Sequence, residues 1–151
     1  MTLFATAIVA LALAGVSNVS AEDSLDLTQY QGRVVVLDFW ASWCVPCRRS
    51  FPWMNAMHEK YADKGLVIIA VNVDKKIAAA NEFLEAYPAD FRIAYDPEAK
   101  LAREHGVEAM PTTYIIGRDG EITSRHVGFK VKRQEEYEAA IEAALQPEDP
   151  E

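Results

Sequence analysis

Apolar and polar positions alternate in two rhythms along most of this chain. Within 33–40, Val34, Val35, Val36 and Leu37 form a continuous apolar run, the pattern of a strand buried on both faces. Phe51, Met54, Met57 and Tyr61 then recur at helical spacing, which predicts a helix over 44–63 with Gly65 as its C-cap. Residues 66–73 read as a second buried strand. A helix over 76–87 follows, with Phe83, Leu84 and Tyr87 inward and Pro88 as its stop. Next come a short strand at 91–95 and a helix over 97–105, opened by Pro97 and closed by Gly106. Strands at 112–116 and 121–127 meet at the turn pair Asp119-Gly120, and an amphipathic helix covers 132–145. The order β-α-β-α-β-α-β-β-α predicts an α/β fold. Its central sheet is mixed, parallel where helices connect strands and antiparallel at the final hairpin, with helices on both faces.

The two ends break this pattern. Residues 3–16 are apolar and Ala-rich, and Ser17-Asn18-Val19-Ser20-Ala21 places small residues at positions −3 and −1 of a cut after Ala21. Residues 1–21 therefore read as a secretory signal peptide, shorter than the roughly 20 apolar residues a bilayer span requires. No Lys or Arg precedes the apolar run, so a retained segment acting as a membrane tether is the alternative. A polar lead, 22–32, separates it from the domain at 33–145, and 146–151 is a Pro-rich acidic tail expected to be mobile. With 151 residues, half of them apolar, the chain suits one domain with its own core. A net charge of −8 argues against nucleic-acid binding, which needs a basic surface.

Candidate chemistry centres on Cys44 and Cys47, the two cysteines of the chain. A bridge this close in sequence closes a very small loop and restrains the unfolded chain little, so a purely structural disulfide is a poor explanation. A structural zinc site wants four ligands and no second cysteine pair exists, so no metal is assigned. Delivery of copper through Cys44, Cys47 and a histidine is the alternative from another class. His58, His105 and His126, however, read as exposed helix or strand residues without ligand-like spacing. A redox pair remains. Cys44 falls between strand and helix, where unpaired N–H groups and the helix dipole favour a thiolate. Pro46 sits in the first turn, where its missing N–H costs nothing. Arg48 and Arg49 follow, and a solvated helix face is the preferred reading for them. Asp38 interrupts the buried run six residues before Cys44; burial should raise its pKa and fit it to move a proton to or from Cys47. Met110-Pro111-Thr112 places a proline just before a buried strand, a setting for a special, cis, peptide bond.

Together these residues resemble the thioredoxin superfamily. Phe39-Trp40-Ala41-Ser42-Trp43-Cys44-Val45-Pro46-Cys47 looks like its active-site segment, Pro52 like its in-helix proline, Asp38 like its buried acid, Pro111 like its cis-proline and Gly128 like a glycine after the last strand. Within it, Arg48-Arg49-Ser50-Phe51-Pro52-Trp53, Val71-Asn72-Val73-Asp74 and the insert 75–95 are similar to the TlpA/ResA-like exported reductases. The resemblance implies a thioredoxin fold and a protein-disulfide reductase without cofactor, with Cys44, Cys47 and Asp38 catalytic. Trp43, Pro46, Met110 and Pro111 would form the client-binding surface. It also implies a periplasmic monomer acting on disulfide-containing exported clients, in cytochrome c or copper-site maturation, and reloaded by a membrane thiol donor of the DsbD type. An oxidising or isomerising role is the main alternative. The chain departs from those reductases at Ser50, where many carry Glu, at Val45, where some carry an acid, and at Asp38, where some have Asn. It also nearly lacks their N-terminal hairpin.

Overall fold

The computed structural model describes residues 25–147; the expected signal peptide and most of the acidic tail lie outside them. Five strands form one sheet in the order β3-β2-β1-β4-β5: β1 Val34–Trp40, β2 Leu66–Asn72, β3 Arg92–Tyr95, β4 Thr112–Ile116 and β5 Ile122–Val127. β1 pairs parallel with β2, and β2 with β3, while β4 runs antiparallel to both β1 and β5. The mixed sheet is therefore as expected. The continuous apolar run lies at its centre, and every residue of β1 is buried.

Side chains alternate across a strand, so β1 feeds two cores. Val34, Val36 and Trp40 face a cluster built with Phe51, Met54, Met57 and Tyr61 of α1 (Cys47–Tyr61), Phe83 of α2 (Ile77–Ala86) and Ile141 of α4 (Gln134–Leu145). Val35, Leu37 and Phe39 face a second cluster with Ala102 of α3 (Lys100–Glu104) and Tyr114. Helices thus cover both faces of the sheet. Each fully buried large apolar side chain here contributes about 1.5–3 kcal/mol through its removal from water.

The polar lead carries more apolar anchoring than its composition suggests. Leu27–Tyr30 form a single 3-10 turn capped by Asp26, and Leu25, Leu27 and Tyr30 pack on the second cluster. Two helices begin three residues later than the sequence pattern predicts. α1 starts at Cys47 rather than at 44, because the residue before a proline is disfavoured in the helical region and Pro46 serves as the N-cap. α3 starts at Lys100 rather than at 97. Asp96 accepts from the backbone N–H groups of Lys100 and Ala102 at 2.8 and 2.9 Å, and Ala99, just before the helix, is left-handed (φ 53°). α4 is preceded by a 3-10 turn, Val131–Arg133. No helix among the described residues is long and apolar enough to cross a membrane.

Candidate active site

β1 ends at Trp40 and the chain turns over 41–46 before α1 begins. Two anchors hold this turn. The Cys44 N–H donates to the Ala41 carbonyl at 3.1 Å. The Ser42 N–H and hydroxyl each donate to a carboxylate oxygen of the buried Asp74 at 2.8 Å, and Asn72 at the end of β2 orients that carboxylate through its Nδ2 at 2.7 Å. The Asp74 clamp is not legible in the sequence, since it joins residues 32 apart through a loop conformation.

Cys44 and Cys47 are joined in a disulfide with their Cα atoms 5.4 Å apart. The first N–H of α1, on Cys47, points at Cys44 Sγ from 3.3 Å. That donor and the helix dipole favour negative charge on Cys44 Sγ over Cys47 Sγ. In this bridged state both cysteines are buried, Cys44 at 3 % exposure and Cys47 at 0 %. Trp43 and Val45 flank them in solvent, Pro46 is half-buried, and Ser50 is buried with its hydroxyl donating to the Cys47 carbonyl at 3.2 Å. Pro52 stands inside α1, where it cannot donate to the Arg48 carbonyl.

Asp38 lies between Val36 and Trp40 on the face of β1 covered by α1, and is 1 % exposed. The Thr113 hydroxyl, directly across on β4, donates to its Oδ1 at 2.6 Å, while Oδ2 has no hydrogen-bond partner among the described residues. Burial pushes the Asp38 carboxyl up to about 7, against the opposing pull of the Thr113 hydroxyl. Thr113 is a partner of the candidate acid that sequence reasoning alone does not find. Its signal, a hydroxyl in a buried strand register opposite Asp38, exists only once β1 and β4 are paired.

The Met110–Pro111 peptide bond is cis, Pro111 is buried, and Met110 packs half-buried on both cores, including the cluster that contains the two cysteines. The histidines differ from expectation, since all three are half-buried. His105 packs its ring on Phe39, with centroids 5.3 Å apart, and His126 pairs with the Ser124 hydroxyl at 3.0 Å. No group of three or more His, Cys, Asp and Glu stands close enough to hold a metal ion among the described residues.

Strand order, the cis bond and a CxxC disulfide at the head of the first long helix define the class: this is a thioredoxin-fold protein. The Redoxin family model matches residues 15–141, and the chain belongs to that family. It is 35% identical over 114 residues to the thiol-disulfide oxidoreductase ResA of Bacillus thuringiensis subsp. konkukian. That match covers 75% of this chain and 66% of the relative, just under two thirds of its length. Among solved structures, the one described as a putative thiol:disulfide interchange protein DsbE from Chlorobium tepidum superposes with a TM-score of 0.78 at 49% identity, covering 80% of this chain and 85% of that one. StoA from Bacillus subtilis shares the fold, with a TM-score of 0.63 at 23% identity over 74% of this chain and 84% of its own.

Proposed function

We propose that this protein is a thiol–disulfide oxidoreductase that reduces disulfides in exported client proteins. The observation that carries this reading is the Cys44–Cys47 pair at the head of α1, with a helix N–H aimed at Cys44 Sγ and a buried carboxylic acid, Asp38, on the neighbouring strand. In the reduced enzyme, Cys44 thiolate attacks one sulfur of a client disulfide. The client's S–S bond breaks, its other sulfur leaves as a thiolate and takes up a proton, and a mixed disulfide forms on Cys44. Cys47 loses its proton to the Asp38 carboxylate and attacks Cys44 Sγ. The mixed disulfide breaks, the second client sulfur is released and protonated, and the Cys44–Cys47 bond is restored. Two electrons pass from the protein's dithiol to the client. Asp38 suits its part because burial holds its carboxyl near neutrality, where it can both accept and return a proton.

Trp43, Pro46, Met110 and Pro111 form the surface on which the client rests in this reading. The protein works outside the cytoplasm as a monomer after removal of residues 1–21, and a membrane thiol donor of the DsbD type reloads it. N-terminal sequencing of the mature protein, expected to begin at Glu22, checks the export step. Maturation of cytochrome c or copper sites is the client class we favour.

A Cys47→Ala variant expressed in the native compartment tests the whole reading. It should accumulate mixed disulfides on Cys44 that mass spectrometry identifies, whereas Cys44→Ala should trap none. Trapping on Cys47 instead would reverse the assigned roles, and absence of adducts on either cysteine would remove the oxidoreductase reading. An oxidising or isomerising direction is separated by the redox potential, since strong oxidants lie well above thioredoxin-like values.

A further inference from the structure

The disulfide is flanked by cations, although the chain as a whole carries a net charge of −8. Arg48 and Arg49 occupy the first turn of α1 and are exposed. Local electrostatics disfavour them there: a helix N-terminus favours acidic side chains, yet that turn contains none. Tertiary contacts do not compensate. Every other arginine of the chain holds at least one hydrogen bond, as Arg118 does to the Gly32 carbonyl and Arg133 to Glu136. Arg48 and Arg49 have no side-chain hydrogen bond or ion pair among the described residues.

Lys75 and Lys76 are exposed in the same way, without side-chain partners among the described residues. The hydrogen bonds from Ser42 to Asp74 fix the loop that carries them beside the active-site turn. Exposed apolar side chains adjoin these cations along the chain: Trp43 at 67 %, Val45 at 51 % and Ile77 at 45 %. Glu108, also exposed, lies in the loop that leads to Met110 and Pro111. Residues that break a local rule without a compensating contact in the folded chain are expected where a partner supplies the contact.

We propose that this rim selects client segments that bear carboxylates beside the cysteine under attack, with an apolar client side chain resting on Trp43 and Val45. The proposal rests on the oxidoreductase reading and names the chemistry of its client. Complementary charge speeds encounter and sets orientation, while a basic segment meets like charge on the α1 side.

The test uses reduced full-length protein and three peptides that share one intramolecular disulfide, flanked by Asp and Glu, by Asn and Gln, or by Lys and Arg. Each kcat/KM is normalised to the rate with bis(2-hydroxyethyl) disulfide, which is small and neutral. At low salt the acidic peptide should be reduced roughly ten-fold faster than the basic one, with the preference shrinking as salt rises. Arg48→Glu/Arg49→Glu should invert the order, and Lys75→Glu/Lys76→Glu should weaken it. Both changes lie on exposed positions, and the first places acids where a helix start accepts them. Equal normalised rates for the three peptides would overturn the proposal. So would an acidic preference that survives both double reversals, or a variant that changes only the rate with the small neutral disulfide, which would assign the arginines to thiol activation. Failure of the unsubstituted protein to reduce any of the four disulfides would overturn the oxidoreductase reading and this proposal with it.

Discussion

Replacing Asp38 with Asn removes a charge from the centre of the sheet and leaves the shape nearly unchanged. Burial moves the carboxyl from 3.8 to about 7, which corresponds to about 4 kcal/mol at 1.36 kcal/mol per pKa unit. The folded state therefore holds a proton that the unfolded chain has released between these two values. Stability falls as pH rises through that window and levels off above about 7. Asn is neutral throughout and lacks this dependence. Its amide takes the place of Oδ2, which has no partner among the described residues, and an unpaired buried donor costs about 1–3 kcal/mol. At pH 8 the variant should thus be more stable by about 1–3 kcal/mol, with the advantage gone or reversed near pH 4. Urea denaturation of the oxidised proteins between pH 4 and 8 measures this difference, free of the cysteines because a disulfide does not titrate. In the reduced proteins, Asp38→Asn should slow disulfide reduction near neutrality by about ten-fold or more, and less at high pH where Cys47 ionises unaided. A stability difference that is flat across this range would refute the raised pKa. An unchanged rate at every pH would make the acid structural.

Two further perturbations probe the turn that carries the cysteines. In the reduced protein, alkylation at mildly acidic pH should modify Cys44 before Cys47, because the α1 N–H points at Cys44 Sγ; peptide mapping showing Cys47 modified first would reverse the assignment. Asp74→Ala should destabilise the protein by about 2–3 kcal/mol, since it strips the acceptor from Ser42 and leaves the buried Asn72 amide without its partner. A loss below about 0.5 kcal/mol in chemical denaturation would show that the clamp contributes nothing.

The elements easiest to foresee are those whose pattern reflects burial directly. β1 is apolar at successive positions because both its faces are covered, and α1 shows its inner side as Phe51, Met54, Met57 and Tyr61 because one stripe meets the sheet. The helix starts are harder. A proline early in a helical pattern can stand at N1, as expected of Pro97, or before the helix altogether. Asp96 decides between these by capping Lys100 and Ala102, and that choice depends on backbone geometry rather than residue type. The histidines, expected to be exposed, escape a sequence reading for a related reason. An imidazole has an apolar ring and a polar edge, and only the packed structure shows that His105 presents its ring to Phe39 and its Nδ1 to the Leu101 carbonyl.

At the site the same distinction separates what a residue is from what its neighbours leave it. Cys44, Cys47 and Asp38 stand out in the sequence because each is costly or idle as a purely structural residue. The cysteine bridge restrains the unfolded chain little, and the acid sits inside an apolar strand. Thr113, Ser42 and Asp74 are ordinary residues, and only strand register and the loop following β2 give them partners. Arg48 and Arg49 are the inverse case. Two arginines after a CxxC motif read most simply as a solvated helix face, and nothing in the sequence contradicts that. Their significance is comparative: the fold satisfies the other arginines and leaves these two, at the positive end of α1 and next to the disulfide, without a side-chain partner among the described residues. A solvated face would gain nothing from that position. A surface that must meet a carboxylate on another chain would, because cations already paired within the fold have less attraction to offer a partner.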